Sequence, residues 1–273
     1  MTPSAAPTLR FRRLLLTGAA GALGRELRRR LKPHCDALRL SDVADLGAAG
    51  AGEETVQARL EDRAAIADLL AGVDAVVHLG GVSVEGPFDP ILQANIVGMF
   101  NLYEAARIHA VKRIVFASSN HVTGFYRQDK VIDATMPVRP DGYYGLSKAF
   151  GENLARFYFD RYGIETVCLR IGSAFPEPKD RRMLSTWLSY DDLERLVLAS
   201  LTAPVVGHSV VYGMSDNLST WWDNTPARHL GYAPQDSSEP HRDAVCARQP
   251  SIDLTDPTAL YQGGAFTRAG PYD

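Results

Sequence analysis

Tyr144 and Lys148 stand four residues apart in Tyr144-Gly-Leu-Ser-Lys148, which sets both side chains on one face of a helix. A phenol beside an ammonium can pass a proton to or from a substrate oxygen. The spacing alone is weak evidence, because a helix carrying Tyr143, Tyr144, Phe150 and Leu154 could use the tyrosine purely for packing. Two features upstream change the reading. The apolar run Ile114-Val-Phe-Ala ends in the serine pair Ser118-Ser119, and the chain opens on the turn Thr17-Gly-Ala-Ala-Gly-Ala-Leu-Gly24. A dinucleotide cradle, a hydroxyl donor and a tyrosine with its lysine, in that order, describe hydride transfer. Tyrosine titrates near 10, so working at neutral pH needs about 4 kcal/mol of preferential phenolate stabilisation. Lys148 and the positive ring of an oxidised nicotinamide are the cations expected to supply it. Ser119 is expected to hydrogen-bond the reacting oxygen and hold it in place.

The glycine turn carries its own requirements. Gly18 permits a tight turn, Gly21 lets backbone approach a pyrophosphate, and Gly24 lets helix and strand pack closely. The N–H groups along Ala20, Gly21, Ala22, Leu23 and Gly24 would then face phosphate at a helix amino terminus. Asp42, eighteen residues beyond Gly24, is placed to accept from the adenosine ribose hydroxyls and to repel a 2′-phosphate, which favours NAD. Arg25 and Arg39 are the residues that could reverse this preference. Asp62 could bind the adenine amino group or cap the helix beginning Arg63-Ala-Ala-Ile, and both readings stand.

These residues need a scaffold, and the apolar pattern supplies one. Strands are expected at 13–17, 37–41, 56–58, 75–78, 113–118 and 166–170, with helices near 22–31, 62–71, 89–110 and 144–162. Such alternation implies an α/β fold: a Rossmann-like, doubly wound parallel sheet with helices on both faces. Beyond Arg170 prolines and glycines become denser, with one more strand at 209–212 and a helix near 191–202. The expected division is a loose extension at 1–12, a dinucleotide-binding domain at 13–170, and a small substrate-capping lobe at 171–273 on the same domain.

Composition excludes several other classes. The 273 residues are 45% apolar with a net charge of −3, which leaves no electrostatic footprint for nucleic acid or an acidic membrane. No apolar run approaches the about 20 residues of a membrane span, and the first ten residues lack a signal-peptide core. Cys35, Cys168 and Cys246 are odd in number and show no metal-ligand spacing, so free thiols and a cytoplasmic location are expected.

The glycine turn, the acid after the second strand, Ser119-Tyr144-Lys148 and Arg170-Ile-Gly together resemble the extended short-chain dehydrogenase/reductase family over nearly the whole chain. Longer stretches are similar to the members of that family that oxidise hexuronic acids at C1. These are His78-Leu-Gly-Gly-Val-Ser-Val-Glu85, Ser118-Ser-Asn-His121, Arg139-Pro-Asp-Gly-Tyr-Tyr-Gly-Leu-Ser-Lys148, Arg170-Ile-Gly-Ser173 and Arg182-Met-Leu-Ser-Thr-Trp187. The resemblance implies NAD as cofactor, with Leu79, Gly80 and Lys148 also beside it, and a cyclic glucuronate or galacturonate oxidised to an aldaro-lactone. It implies that Arg182 pairs with the substrate carboxylate, and that Ser83, Ser119, Asn120, His121, Tyr144 and Ser173 contact the sugar. A surface position in the basic run Lys179-Asp-Arg-Arg182 is the alternative for Arg182, and a backbone-bonded loop histidine for His121. Asn95 is implied to support the lysine or a water, or else packs its helix. Trp221-Trp222 and Tyr261-Gln-Gly-Gly-Ala-Phe266 are expected to serve packing or subunit contacts. A homo-oligomer pairing through helices 89–110 and 144–162 is implied as well. Two alternatives remain: a nucleotide-sugar epimerase or dehydratase, whose substrate calls for a larger carboxyl-terminal lobe, and a dinucleotide-binding sensor on the same fold.

Overall fold

Leu14, Leu15 and Leu16 are all fully buried, which requires a strand covered on both faces. The computed structural model describes residues 10–270 and Tyr272. Its main sheet has seven parallel strands: β1 (Phe11–Thr17), β2 (Cys35–Asp42), β3 (Glu53–Gln57), β4 (Ala75–His78), β5 (Arg113–Ser119), β6 (Glu165–Ile171) and β7 (His208–Gly213). Their order across the sheet is β7-β6-β5-β4-β1-β2-β3. The order reverses between β1 and β4, so a crevice opens there at the carboxyl edge, where ligands bind in sheets of this kind.

Alternation along each strand sends neighbours to opposite faces. Leu14 and Leu16 pack with Leu38, Leu40, Leu27 and Leu31 beneath helix α1 (Ala22–Leu31). Leu15 packs with Val76, Ile114 and Phe116 on the other face, under α2 (Arg63–Leu69), α3 (Gly98–Ile108) and α4 (Tyr143–Tyr162). Helix α5 (Tyr190–Thr202) returns to the α1 face through Leu193, Leu196 and Val197.

The expected elements are all present, with ends that shift by up to three residues. The first nine positions of the expected extension lie outside the described residues. Phe11 and Arg12 already belong to β1, because Phe11 pairs with Cys35 of β2. The helix expected over 89–110 is not uniform: a short turn, Phe88–Ile91, leads into a π-helical segment, Leu92–Val97, before α3 begins. The wider π turn carries Asn95. Beyond β6 the chain is not a separate body, since β7 completes the sheet against β6. What lies over the sheet edge is a third cluster, Tyr126, Ile132, Tyr212, Trp221 and Trp222. Trp222 stacks on Tyr212 at 4.8 Å.

Candidate active site

A cavity of about 1230 Å³ runs along the carboxyl edge of the sheet, from the glycine turn to the residues after β6. At one end Gly18 adopts φ +69°, and a Cβ there would press on the backbone of Leu79 and Gly80. A Cβ at Gly24 would overlap the Gly18 carbonyl. Helix α1 starts without a side-chain cap and has no acid in its first turn, so its free N–H groups face the cavity. Backbone cradle, helix terminus and absent side chains fit the pyrophosphate of a dinucleotide. Gly18, Ala20, Gly21, Ala22, Leu23, Gly24, Leu79 and Gly80 all line this end. Thr17 Oγ1 ties it together, meeting His78 Nδ1 at 2.7 Å and accepting from the Gly80 N–H at 3.2 Å. Complete burial pulls the His78 pKa down to about 3, so this joint stays uncharged.

Asp42 lines the cavity and also braces the turn: Oδ2 accepts from the Ala20 N–H (2.9 Å) and Oδ1 from the Ala44 N–H (3.0 Å). Neither arginine that could have undercut an NAD preference lies on the wall. Arg39 bonds Glu54 and the carbonyls of Leu69 and Ala71, while Arg25 bonds the Ala20 carbonyl. Asp62 is a correction to the adenine reading. Its Oδ1 accepts from the Ala64 and Ala65 N–H groups as the cap of α2, and Leu60 and Glu61 line the cavity instead.

Midway along the cavity lie Ser119, Tyr144 and Lys148, all nearly buried. Ser119 ends β5, and its Oγ accepts from the His121 N–H (3.2 Å), leaving the hydroxyl proton free to donate. Lys148 Nζ donates to the Ala117 carbonyl (2.9 Å) and sits 5.5 Å from the centre of the Tyr144 ring. The expected lowering of the tyrosine pKa is absent in the protein alone. Burial pushes Tyr144 up to about 12, against a smaller opposing pull from Ser119. The same burial pulls Lys148 down to about 8. Desolvation disfavours both charged forms, and the Asp141 charge adds to the rise at Tyr144.

Below these groups a buried network fixes α4 to the sheet. Glu152 takes the Arg170 guanidinium at 2.9 and 3.0 Å and the Ser118 hydroxyl at 2.6 Å, while Arg170 also donates to the Tyr212 hydroxyl. Asn95 does not reach Lys148. It bonds the Val82 N–H and carbonyl and the Ser147 hydroxyl, so it holds the loop after β4 against α4.

Arg182 lies at the far end and lines the cavity, so the surface alternative is set aside. Its Nε donates to the Gln262 carbonyl (2.7 Å) and its Nη1 to Ser173 Oγ (3.3 Å). With the Asn120 amide nitrogen donating to the Ile171 carbonyl, the amide oxygen accepts from Nη2 at 2.8 Å. All three acceptors are neutral, and no ion pair involves Arg182 among the described residues. Burial lowers its pKa, with Asp180 and Asp141 opposing from a distance. Three of five N–H donors are used, so one on each Nη remains. Asn120 and Ser173, expected as sugar contacts, line the cavity while also holding this guanidinium. Ser83 is exposed on the loop after β4, on the same wall.

Three parts of this site escaped the sequence reading. Glu85 accepts from the Tyr143 and Tyr144 N–H groups at 2.9 and 2.8 Å. Asp141 accepts from His121 Nδ1 at 2.7 Å. The segment read as packing or subunit contact, Tyr261 to Phe266, is a wall of the cavity. Gly263, Ala265 and Phe266 line it, and Phe266 stacks on His121 with ring centres 3.8 Å apart. Only the neutral alternation of small and aromatic residues there could have hinted at it.

Residues 14–203 match the NAD dependent epimerase/dehydratase family. The chain belongs to that family, and it is an NAD-dependent oxidoreductase. It is 60% identical to the uronate dehydrogenase of Pseudomonas putida over 97% of this chain and 99% of that one. The crystal structure of a glucuronic acid dehydrogenase from Chromohalobacter salexigens superposes with a TM-score of 0.94 at 52% identity, covering 95% and 98% of the two chains. A uronate dehydrogenase from Agrobacterium tumefaciens, complexed with NAD, gives a TM-score of 0.93 at 51% identity over 95% and 98%.

Proposed function

We propose that this enzyme oxidises hexuronates, D-glucuronate and D-galacturonate, at C1 to aldaro-lactones, with NAD as acceptor. The observation that carries the reading is Arg182: a largely desolvated cation on the cavity wall, held by three neutral groups, with a donor left on each terminal nitrogen. A carboxylate accepting bidentately would complete it. The three relatives, whose names specify uronate or glucuronic acid, support the same substrate class.

NAD, when bound, would supply the hydride acceptor and a positive charge in addition to that of Lys148. In this reading Arg182 fixes the C6 end of the sugar, and the Ser119 hydroxyl donates a hydrogen bond to the C1 oxygen. Tyr144, acting as the phenolate with Lys148 as the neighbouring cation, would take the proton from that oxygen. Ser83, Asn120, His121 and Ser173 surround the ring hydroxyls. Gly18, Ala20 to Gly24, Asp42, Leu79 and Gly80 hold the dinucleotide.

Exposed Phe100, Ile108, Phe157 and Tyr162 on α3 and α4 support a homo-oligomer paired through these helices. A cytoplasmic location rests on three unpaired cysteines. Among the described residues no helix is long and apolar enough to cross a membrane.

The test compares kcat/KM for glucuronate and for glucose in wild type and in Arg182→Ala. Loss of a charge-assisted pair predicts a roughly 10- to 150-fold drop for glucuronate. Glucose, without a carboxylate, should be affected far less. Equal losses on both sugars would show that Arg182 maintains structure only. Tight NAD binding without turnover of either uronate would exclude hexuronates as substrates.

A further inference from the structure

Asp141 is completely buried, yet it forms no pair with lysine or arginine. Its Oδ1 has no hydrogen-bond partner among the described residues, and its Oδ2 takes only His121 Nδ1 at 2.7 Å. A buried carboxylate in this state is costly, which points to a role for it elsewhere in the site. Three glycines from separate segments make room for it. A Cβ at Gly124 or Gly263 would overlap the carboxylate, and one at Gly145 would press on it and on the His121 carbonyl. The space is built for this side chain, and among the described residues His121 is the one side chain it hydrogen-bonds.

The histidine is fixed on its other sides too. Phe266 stacks on its ring at 3.8 Å and 12°, and the Tyr144 ring meets it edge-on at 5.9 Å. Nδ1 points back to Asp141, His121 lines the cavity, and Nε2 has no partner among the described hydrogen bonds. Which nitrogen carries the proton is set by the bond the other nitrogen makes.

We infer that Asp141 is a positioning residue that holds His121 as the Nδ1–H tautomer, so that Nε2 faces the cavity as a hydrogen-bond acceptor for a sugar hydroxyl. Free imidazole prefers the opposite tautomer, in which Nε2 would be a donor. Asp141 thereby sets the polarity of one contact in the sugar site without touching the sugar. This inference rests on the uronate reading for the identity of the ligand, but its first test does not.

The tautomer is read from the ring ¹⁵N shifts of the protein without cofactor or substrate, with His121→Gln identifying the resonance. Wild type should show Nδ1–H, Asp141→Ala should switch to Nε2–H, and Asp141→Asn, which keeps an oxygen acceptor, should restore Nδ1–H. In kinetics, Asp141→Ala should raise KM for glucuronate about 5- to 20-fold, the effect of one lost hydrogen bond, with a smaller change in kcat. The NAD Kd should stay unchanged, and Asp141→Asn should recover most of KM. Where the alanine variant does not fold, the wild-type and asparagine spectra still decide. A wild-type ring that is Nε2–H or doubly protonated overturns the inference, as does an alanine variant with wild-type KM. Failure of wild type to oxidise any uronate would remove the proposed substrate and leave the tautomer result standing.

Discussion

Tyr144 and Lys148 are each buried at a cost to their charged forms, and the two costs have opposite pH signatures. Lys148 titrates at about 8 in the folded protein against 10.5 for a free lysine. Between these values the unfolded chain holds more protons, so the penalty is fully present below about pH 8 and disappears as pH rises towards 10.5. Tyr144, raised to about 12, keeps its proton longer when folded, so its effect on stability appears only above pH 10. Lys148→Met removes the first effect. The variant of the cofactor-free protein should melt higher than wild type below pH 8, and the gap should close towards pH 10. A gap that stays constant over that range would mean that Lys148 is not desolvated. Tyr144→Phe keeps the ring in its pocket and removes the proton carrier, so NAD should bind as before while kcat falls at least about 100-fold. Stopped-flow turnover beside fluorescence titration with NAD separates the two effects, and a variant retaining most of its kcat would exclude the tyrosine.

Helix α4 follows Gly142, which offers no side-chain cap, and has no acid in its first turn. Glu85 serves instead, reaching across 58 residues of sequence to accept from two of the first N–H groups. Because Glu85 shares a loop with Ser83, one carboxylate secures both the start of the tyrosine helix and a wall of the cavity proposed to take the sugar. Glu85→Ala should cost about 0.5–2 kcal/mol, the usual value of a lost cap. Faster hydrogen exchange at the Tyr143 and Tyr144 amides should accompany it, and Glu85→Gln should fall between the two. Unaltered exchange at those amides would deny the capping role. What the sequence made legible follows from range. Strands buried on both faces, such as Leu14-Leu-Leu16, and the turn glycines announce themselves locally, so their elements lie within a few residues of expectation. Glu85 with Tyr144, Asp141 behind His121 and Gln262 on Arg182 are contacts between distant segments, and no local pattern marks them. The π turn around Asn95 was hidden for another reason, since it keeps the apolar spacing of an ordinary helix.

Gln262 joins the layers of the molecule. Its Oε1 accepts from Trp222 Nε1, its Nε2 donates to the carbonyls of Arg127 and Lys130, and its own carbonyl takes Arg182 Nε. The tryptophan cluster and the loop before Ile132 therefore meet at one buried side chain, whose own backbone carbonyl holds the proposed carboxylate reader. Gln262→Ala would strand an indole N–H and two carbonyls and should destabilise the protein by about 2–5 kcal/mol. It should also raise KM for glucuronate while leaving the NAD Kd alone, because the cradle lies at the other end of the cavity. Urea melts and a parallel pair of titrations check this. Equal weakening of both ligands would mean that the damage spreads through the sheet.

The wall formed by Gln262 to Phe266 has a bearing on how the protein comes into being. The glycine turn, Ser119, Tyr144 and Lys148 have all been synthesised by residue 148, whereas Arg182 gains its backbone acceptor only when residue 262 arrives. On the ribosome, the residues of the dinucleotide cradle and the proposed proton carriers precede by more than a hundred codons the backbone that holds the proposed carboxylate reader. During translation, the residues proposed for the chemistry are therefore made before the last support of the residue proposed to read the carboxylate.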